Sequence, residues 1–266
     1  MTDISLLFEP PFARVVLNRP ERRNAISRAM WRALPAIRTA IEARQDALVV
    51  LVEGRGGHFS AGADISEFGE VYRDAAAARD YGDAVQYGLR ALIDLDRPSI
   101  AVLQGNAVGG GLGLALACDL RFCAADAYLA VTPAKLGLVY GHAETRRLVE
   151  LVGPSRAKDL LFTGRRIETE EALAIGLIDR RIETGPHDTA VGYARGLAAL
   201  SQTSIRGAKR AVDAIASGMT VETPAFRALV ESAALGVDFA EGRAAFAEKR
   251  TAKFFSRDAT FPFPPG

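Results

Sequence analysis

The chain has 266 residues, 49% of them hydrophobic and 24% charged, with a formal net charge of +1. Such a profile belongs to a folded globular protein of one large or two small domains and excludes a disordered chain. The near-neutral balance, with no strongly basic half, argues against nucleic acid as the main partner, and no apolar run approaches the roughly 20 residues that a membrane span needs.

From the N-terminus, MTDISLLFEP carries acids early and lacks a basic stretch followed by an apolar core, so no signal peptide is expected. ARVVLNR (13–19), ALVVLVEG (47–54) and SIAVLQG (99–105) are apolar, rich in β-branched residues and closed by turn residues, which predicts buried strands. Between the first two, residues 27–44 place Met30, Leu34, Ile37 and Ile41 at helical spacing, with Ser27 positioned as N-cap. Pro35 lies inside that run and predicts a kink or a split. Residues 75–95 form a second helical run leading into the third strand. Strand–helix–strand alternation implies crossover connections in an α/β fold.

From about residue 143 the strand signal fades. Residues 143–153, 155–164, 169–177, 191–202 and 204–218 read as helices in turn, and a further one covers roughly 221 to 236. The tail, 240–255, reads as a basic amphipathic helix ending in aromatics. No internal repeat, low-complexity stretch or flexible linker is visible. The expected layout is an α/β core over 1–195 followed by a helical region over 196–266.

Two loops stand out because they strip side chains away. GNAVGGGLG (105–113) holds five glycines in nine positions and runs into an apolar helical stretch. A glycine inside a helix costs on the order of 1 kcal/mol against alanine, so Gly110, Gly111 and Gly113 call for a reason. GRGGHFSAGADISEF (54–68) likewise follows a strand and precedes a helix start. Loops at strand C-terminal ends are where α/β layers bind ligands, and two such loops aim backbone N–H donors at one oxygen, the arrangement of an oxyanion hole. The competing reading is that these glycines permit tight turns or close helix packing. Neither loop fits G-x-G-x-x-G or the P-loop, and HFSAG has His58 where a serine-hydrolase elbow needs glycine. Cys118 and Cys123 read as buried thiols in a reducing, cytoplasmic compartment, since they and three scattered histidines do not assemble a metal site.

Taken together, LNRPERRNAIS (17–27), GRGGHFSAGADI (54–65), GNAVGGGLGLALACDLR (105–121), AKLGLV (134–139), LLFTGRRIETEEALAIGLID (160–179) and EGRAAFAEKRTAKF (241–254) resemble the crotonase superfamily of enoyl-CoA hydratases and isomerases. The resemblance spans nearly the whole chain. It implies a spiral of ββα turns with a helical C-terminal region that builds trimers, often paired into hexamers. It further implies that the backbone N–H groups of Ala63 and Gly110 hold the carbonyl of an acyl-CoA thioester. Ala61, Ala63 and Ile65 then line the CoA adenine, Arg22 and Arg23 lie near its phosphates, and Phe246 and Lys249 reach the CoA of a neighbouring subunit. CoA enters as part of the substrate; no separate cofactor is implied.

The pattern breaks at the two glutamates that hydratases of the family use to hold and split water. Their positions are occupied here by Gly113 and Pro133, and neither residue carries a proton. Glu144 lies in the segment where other members set alternative acids, and becomes the candidate acid/base. Tyr140 and His142 are its neighbours in sequence, and Asp64 and Glu67 follow the first loop. The bland readings are a first-turn helix acid for Glu144, a surface residue for His142 and a helix cap for Asp64; His187, in an expected loop, has no functional argument. The implied chemistry passes through a thioester enolate, as double-bond isomerisation or a non-standard hydration. Two alternatives stay open: a shell that binds acyl-CoA without turnover, and a hydrolase or unrelated activity.

Overall fold

The computed structural model describes residues 2–254. Its first half climbs through repeated turns, each contributing a strand to a large sheet, a short extended segment to a second layer, and then a helix. The first turn is β1 (Ile4–Glu9), β2 (Phe12–Leu17) and α1 (Arg28–Glu42); the second is β3 (Val49–Gly54), α2 (Phe68–Val71) and α3 (Ala75–Ile93). The third is β4 (Ser99–Leu103), β5 (Asn106–Val108) and α4 (Gly110–Leu116). The fourth is β6 (Leu120–Ala124), β7 (Tyr128–Ala130), α5 (His142–Val152) and α6 (Pro154–Thr163). Then come β8 (Arg166–Glu168), α7 (Thr169–Ala174), β9 (Arg180–Ile182) and α8 (Pro186–Ala198), before the final α9 (Gln202–Ala216), α10 (Pro224–Ala234) and α11 (Val237–Ala247).

The large sheet has the order β1-β2-β3-β4-β6-β9, antiparallel only between β1 and β2. The small sheet, β5-β7-β8, is extended by single bridges that pair Ser60 with Ala107 and Ile26 with Ala63. This is the expected mixed α/β spiral with a helical C-terminal region. Burial explains why the central strands lack polar alternation. Val50 and Val52 face a core shared with Met30, Trp31 and Leu34 of α1 and Leu89 and Leu92 of α3, whereas Val49 and Leu51 face Ala190 and Ala194 of α8. A strand covered on both faces reads as a continuous apolar run.

Several expectations need correcting. Ser27 caps α1 as anticipated, its side chain accepting from Met30 N at 3.3 Å, but α1 runs unbroken through Pro35. Pro35 leaves the Trp31 carbonyl without its helical donor, and α3 crosses at that point so closely that a methyl on Gly88 would lie 2.9 Å from the Trp31 carbonyl oxygen. Burial of Met30, Trp31, Leu34 and Ile41 holds the helix together on both sides of the proline. Strands do occur after residue 143: β8 and β9 are three residues each. His187 lies in the first turn of α8 rather than in a loop, its Nδ1 2.8 Å from Glu53 Oε2. The tail helix ends at Ala247, with Lys249 in the left-handed region at φ 53°; Phe255 lies outside the described residues. Helix α8, which carries His187, packs on the large sheet through Ala190 and Ala194.

Candidate active site

The loop after β3 is pinned amide by amide. Ser60 N donates to Asn106 O (3.0 Å), Ala61 N to Arg23 O (2.8 Å) and Asp64 N to Ile26 O (3.0 Å), while Ile26 N donates to Gly62 O (2.7 Å). Gly62 N donates to Ser60 Oγ at 3.1 Å, and that hydroxyl donates to Asn24 O at 2.8 Å. In this run only the Ala63 amide has no acceptor among the described residues. Buried backbone donors are otherwise nearly always paired. Across from it, Val108 N donates to Ser60 O (3.1 Å) and Gly109 N to Ala130 O (2.9 Å). The next amide, Gly110 N, opens α4 and has no preceding carbonyl in helical register.

The two free amides lie close to one another. A methyl on Gly110 would lie 3.6 Å from Ala63 N and 3.3 Å from Trp31 Cζ2, and one on Gly62 would lie 3.6 Å from Gly110 N. Ala63 and Gly110 are half-buried. The three helix-mouth glycines thus serve three contacts. Gly110 leaves room between the amides, Gly111 packs on Ser60, where a methyl would come within 2.6 Å of its Cβ, and Gly113 packs on Glu144.

That last contact brings the candidate acid to the site. A methyl on Gly113 would lie 2.9 Å from Glu144 Cγ and 3.6 Å from its Oε1. The Glu144 side chain, reaching over from the first turn of α5, fills the volume beside residue 113. It is a first-turn acid, yet only 6% exposed, so dipole stabilisation at a surface is not its whole role. Gln86 of α3 donates from Nε2 to Glu144 Oε2 at 3.3 Å and accepts from Ala143 N at 3.2 Å. Burial pushes the Glu144 carboxyl above its ordinary value, against the opposing hydrogen bonds from Gln86 and the backbone of Glu144 and Gly141. Tyr140 Oη donates to Gly109 O at 2.9 Å, and burial together with the nearby Glu144 charge raises its phenol well above the usual value. Tyr72 and Tyr81, edge-to-face at 5.6 Å, also feel the Glu144 charge.

The other expected residues fall into groups. Arg22, Arg23, Ala61, Ala63 and Ile65 are brought together: Arg22 Nη1 donates to Asp64 Oδ2 and Ser66 Oγ, each at 3.1 Å, and Ile65 is 69% exposed. Asp64 is a cap, accepting from Ser66 N at 3.1 Å, and its pairing with Arg19 and hydrogen bonds from Ser66 hold its carboxyl down to about 2 against burial. Glu67 accepts from Arg28 N at 2.7 Å and so caps α1. His142 is exposed at the start of α5, and Pro133 opens a 3-10 turn. Phe246 and Lys249 lie on and just after α11, which packs against α10, outside the cluster around Glu144. Sequence reasoning missed Gln86, Trp31, Tyr72 and Tyr81. Trp31, Tyr81 and Gln86 lie in expected helices that were given no functional role, and Tyr72 closes the short α2, for which no expectation was made.

Known proteins of this kind match over nearly the full length. The sequence profile of the family described as Enoyl-CoA hydratase/isomerase matches residues 9–257. The crotonyl-CoA hydratase of Syntrophomonas wolfei is 33% identical over 263 residues, covering 96% of this chain and 98% of that one. The human mitochondrial enoyl-CoA hydratase domain-containing protein 2 is 36% identical, covering 91% and 85%. The crystal structure of an enoyl-CoA hydratase/isomerase family protein from Hyphomonas neptunium superposes with a TM-score of 0.93 at 44% identity, covering 96% of this chain and 98% of that one.

Proposed function

The chain belongs to the enoyl-CoA hydratase/isomerase family, and from that premise we propose that it moves a double bond within an acyl-CoA thioester, with Glu144 as its single acid/base. The carrying observation is that Glu144, a buried carboxylate, occupies the volume beside Gly113, while neither position where the resemblance implies a glutamate, 113 or 133, carries one. In the proposed step the Glu144 carboxylate takes a proton from the α-carbon of a 3-enoyl-CoA. Electrons shift toward the thioester oxygen, held by the Ala63 and Gly110 amides, and the same proton returns to the γ-carbon, giving the 2-enoyl-CoA. A carboxyl raised by burial is a stronger base than a solvated one, which suits removal of a weakly acidic carbon proton. Hydration needs a second group to hold and split water, and the hydroxyls near Glu144 belong to tyrosines whose phenols are shifted upward.

On the same reading Arg22, Arg23, Ala61 and Ile65 flank the CoA moiety, and the chain assembles as a homotrimer or hexamer in which Phe246 and Lys249 reach a neighbour's CoA. No helix among the described residues is long and apolar enough to cross a membrane. Cys118 and Cys123 are free and buried, their thiols pushed up to about 12 by desolvation, which supports a reducing compartment such as the cytoplasm. The net charge of +1 supports a small-molecule substrate over nucleic acid.

The test is turnover of 3-enoyl-CoA and crotonyl-CoA by the wild-type chain and by Glu144→Gln. Isomerisation by the wild type should fall about 10² to 10⁴-fold in the variant, with thioester affinity by calorimetry unchanged. Unaltered rates would remove Glu144 from the mechanism. Binding without any product would leave an acyl-CoA carrier.

A further inference from the structure

The Gly110 amide does not stand alone: its N–H and the Gly109 carbonyl are two ends of one planar peptide. Whatever fixes the carbonyl therefore aims the N–H. Gly109 has φ 50° and ψ −122°, a conformation that side chains of L-residues rarely permit, and that ψ sets the rotation of the peptide plane. Two donors hold the carbonyl in place. Gly113 N reaches it at 3.0 Å as the first bond of α4, and Tyr140 Oη reaches it at 2.9 Å from the segment preceding α5.

We propose that Tyr140 is a positioning residue for the oxyanion hole: its hydroxyl fixes and polarises the Gly109–Gly110 peptide, so that the Gly110 N–H is a stronger donor to the thioester oxygen. The proposal rests on the reading that the Ala63 and Gly110 amides bind that oxygen. A hydroxyl donating to one end of an amide draws electron density from the N–H at the other, and chains of such bonds strengthen one another in a poorly solvated interior. The effect grows as charge develops on the thioester oxygen, so it favours the enolate over the bound ground state. Tyr140 serves as a donor rather than as an acid or base, because its proton is engaged on Gly109 and burial beside Glu144 keeps the phenol from ionising. The same hydroxyl lies 3.2 Å from where a methyl on Gly113 would sit, so the glycine that admits Glu144 also admits this contact.

The experiment compares wild type with Tyr140→Phe, which keeps the ring and loses only the hydroxyl. The readouts are kcat and KM for 3-enoyl-CoA, and the infrared carbonyl band of bound butyryl-CoA carrying ¹³C at the thioester carbon, a saturated thioester with no double bond to move. Wild type should lower the carbonyl frequency relative to free butyryl-CoA, and Tyr140→Phe should lower it less. Its kcat should fall roughly 3- to 30-fold, short of the ~10² to 10³ lost with an entire donor, with KM changed less than about twofold. Difluorotyrosine at position 140 has nearly the same shape and a stronger donor hydroxyl, so it should lower the frequency further even if the phenylalanine variant fails to fold. Equal bands in wild type and in each variant that folds overturn the role of Tyr140 alone. A wild-type band that does not move overturns the oxyanion reading together with it.

Discussion

At the scale of single residues, the site is built from what glycine omits. Gly113→Ala sets two effects against each other: about 1 kcal/mol of helix propensity gained, and a methyl 2.9 Å from Glu144 Cγ and 3.2 Å from Tyr140 Oη, which costs about 1–3 kcal/mol where neighbours are tight. Stability should fall by about 0–2 kcal/mol, the difference of the two effects, while isomerase kcat falls, because the cheapest relief is to move Glu144; a variant with full kcat would show the contact to be incidental. The same carboxylate carries a pH signature. Burial raises its folded-state value above the 4.5 of a free glutamate, so between the two values the unfolded chain releases this proton while the folded one keeps it. The neutral form's contribution is present below the free value and is lost as pH rises through the raised one. Glu144→Gln, which never ionises, should therefore gain stability relative to wild type as pH rises from below 4.5, measured by urea unfolding across a pH series. A constant difference would contradict the burial argument. That two loops offer backbone was legible in the sequence, since runs of small residues after strands advertise it; the choice of the Ala63 and Gly110 amides came from the family resemblance alone. The partners of Glu144 were not legible: Gln86 lies 58 positions away, and nothing local says which polar residue of a long helix turns inward.

At the scale of elements, the long helices and central strands were legible because their apolar spacing repeats over many residues. The strands β5, β7, β8 and β9 are three residues each, too short for a period, and exist because neighbouring turns of the spiral offer them partners. Pro35 shows the limit from the other side. The missing hydrogen bond is a local fact, but whether a helix bends there depends on what buries its flanks. The α1–α3 crossing that buries them leaves little slack. A methyl on Gly88 would meet the Trp31 carbonyl oxygen at 2.9 Å, Trp31 Cε3 at 3.0 Å and Leu34 Cδ1 at 3.2 Å. Gly88→Ala is expected to destabilise the chain by about 1–3 kcal/mol by urea unfolding. Because the opposite edge of the Trp31 ring borders Gly110, the shift should also raise KM. Wild-type stability in this variant would mean that α3 moves away freely.

At the scale of the whole molecule, the helices after the spiral are tied to it by ion pairs and packed on one another. Arg206 of α9 reaches Asp96 at 2.7 Å and Lys209 pairs with Asp119, while α10 packs on α9 and α11 on α10. What they leave uncovered is apolar: Leu235 is 89% exposed and Phe246 88%, with Val221, Val230, Val237 and Phe239 also exposed. A lone soluble chain rarely shows a large contiguous apolar patch, and burying one is worth roughly 25 cal/mol per Å². The proposed homo-oligomer gives these side chains a place to go. Light scattering at micromolar concentration should return a mass of three or six chains, and Leu235→Glu combined with Phe246→Glu should return a smaller one. Since α11 has no part in the cluster around Glu144, the dissociated variant should keep its fold by circular dichroism. Its affinity for CoA thioesters should weaken because Phe246 and Lys249 no longer meet a neighbour's ligand. If the oligomer survives both charges, the exposed face of α10 and α11 has some other use, and the intersubunit part of the binding site goes with it.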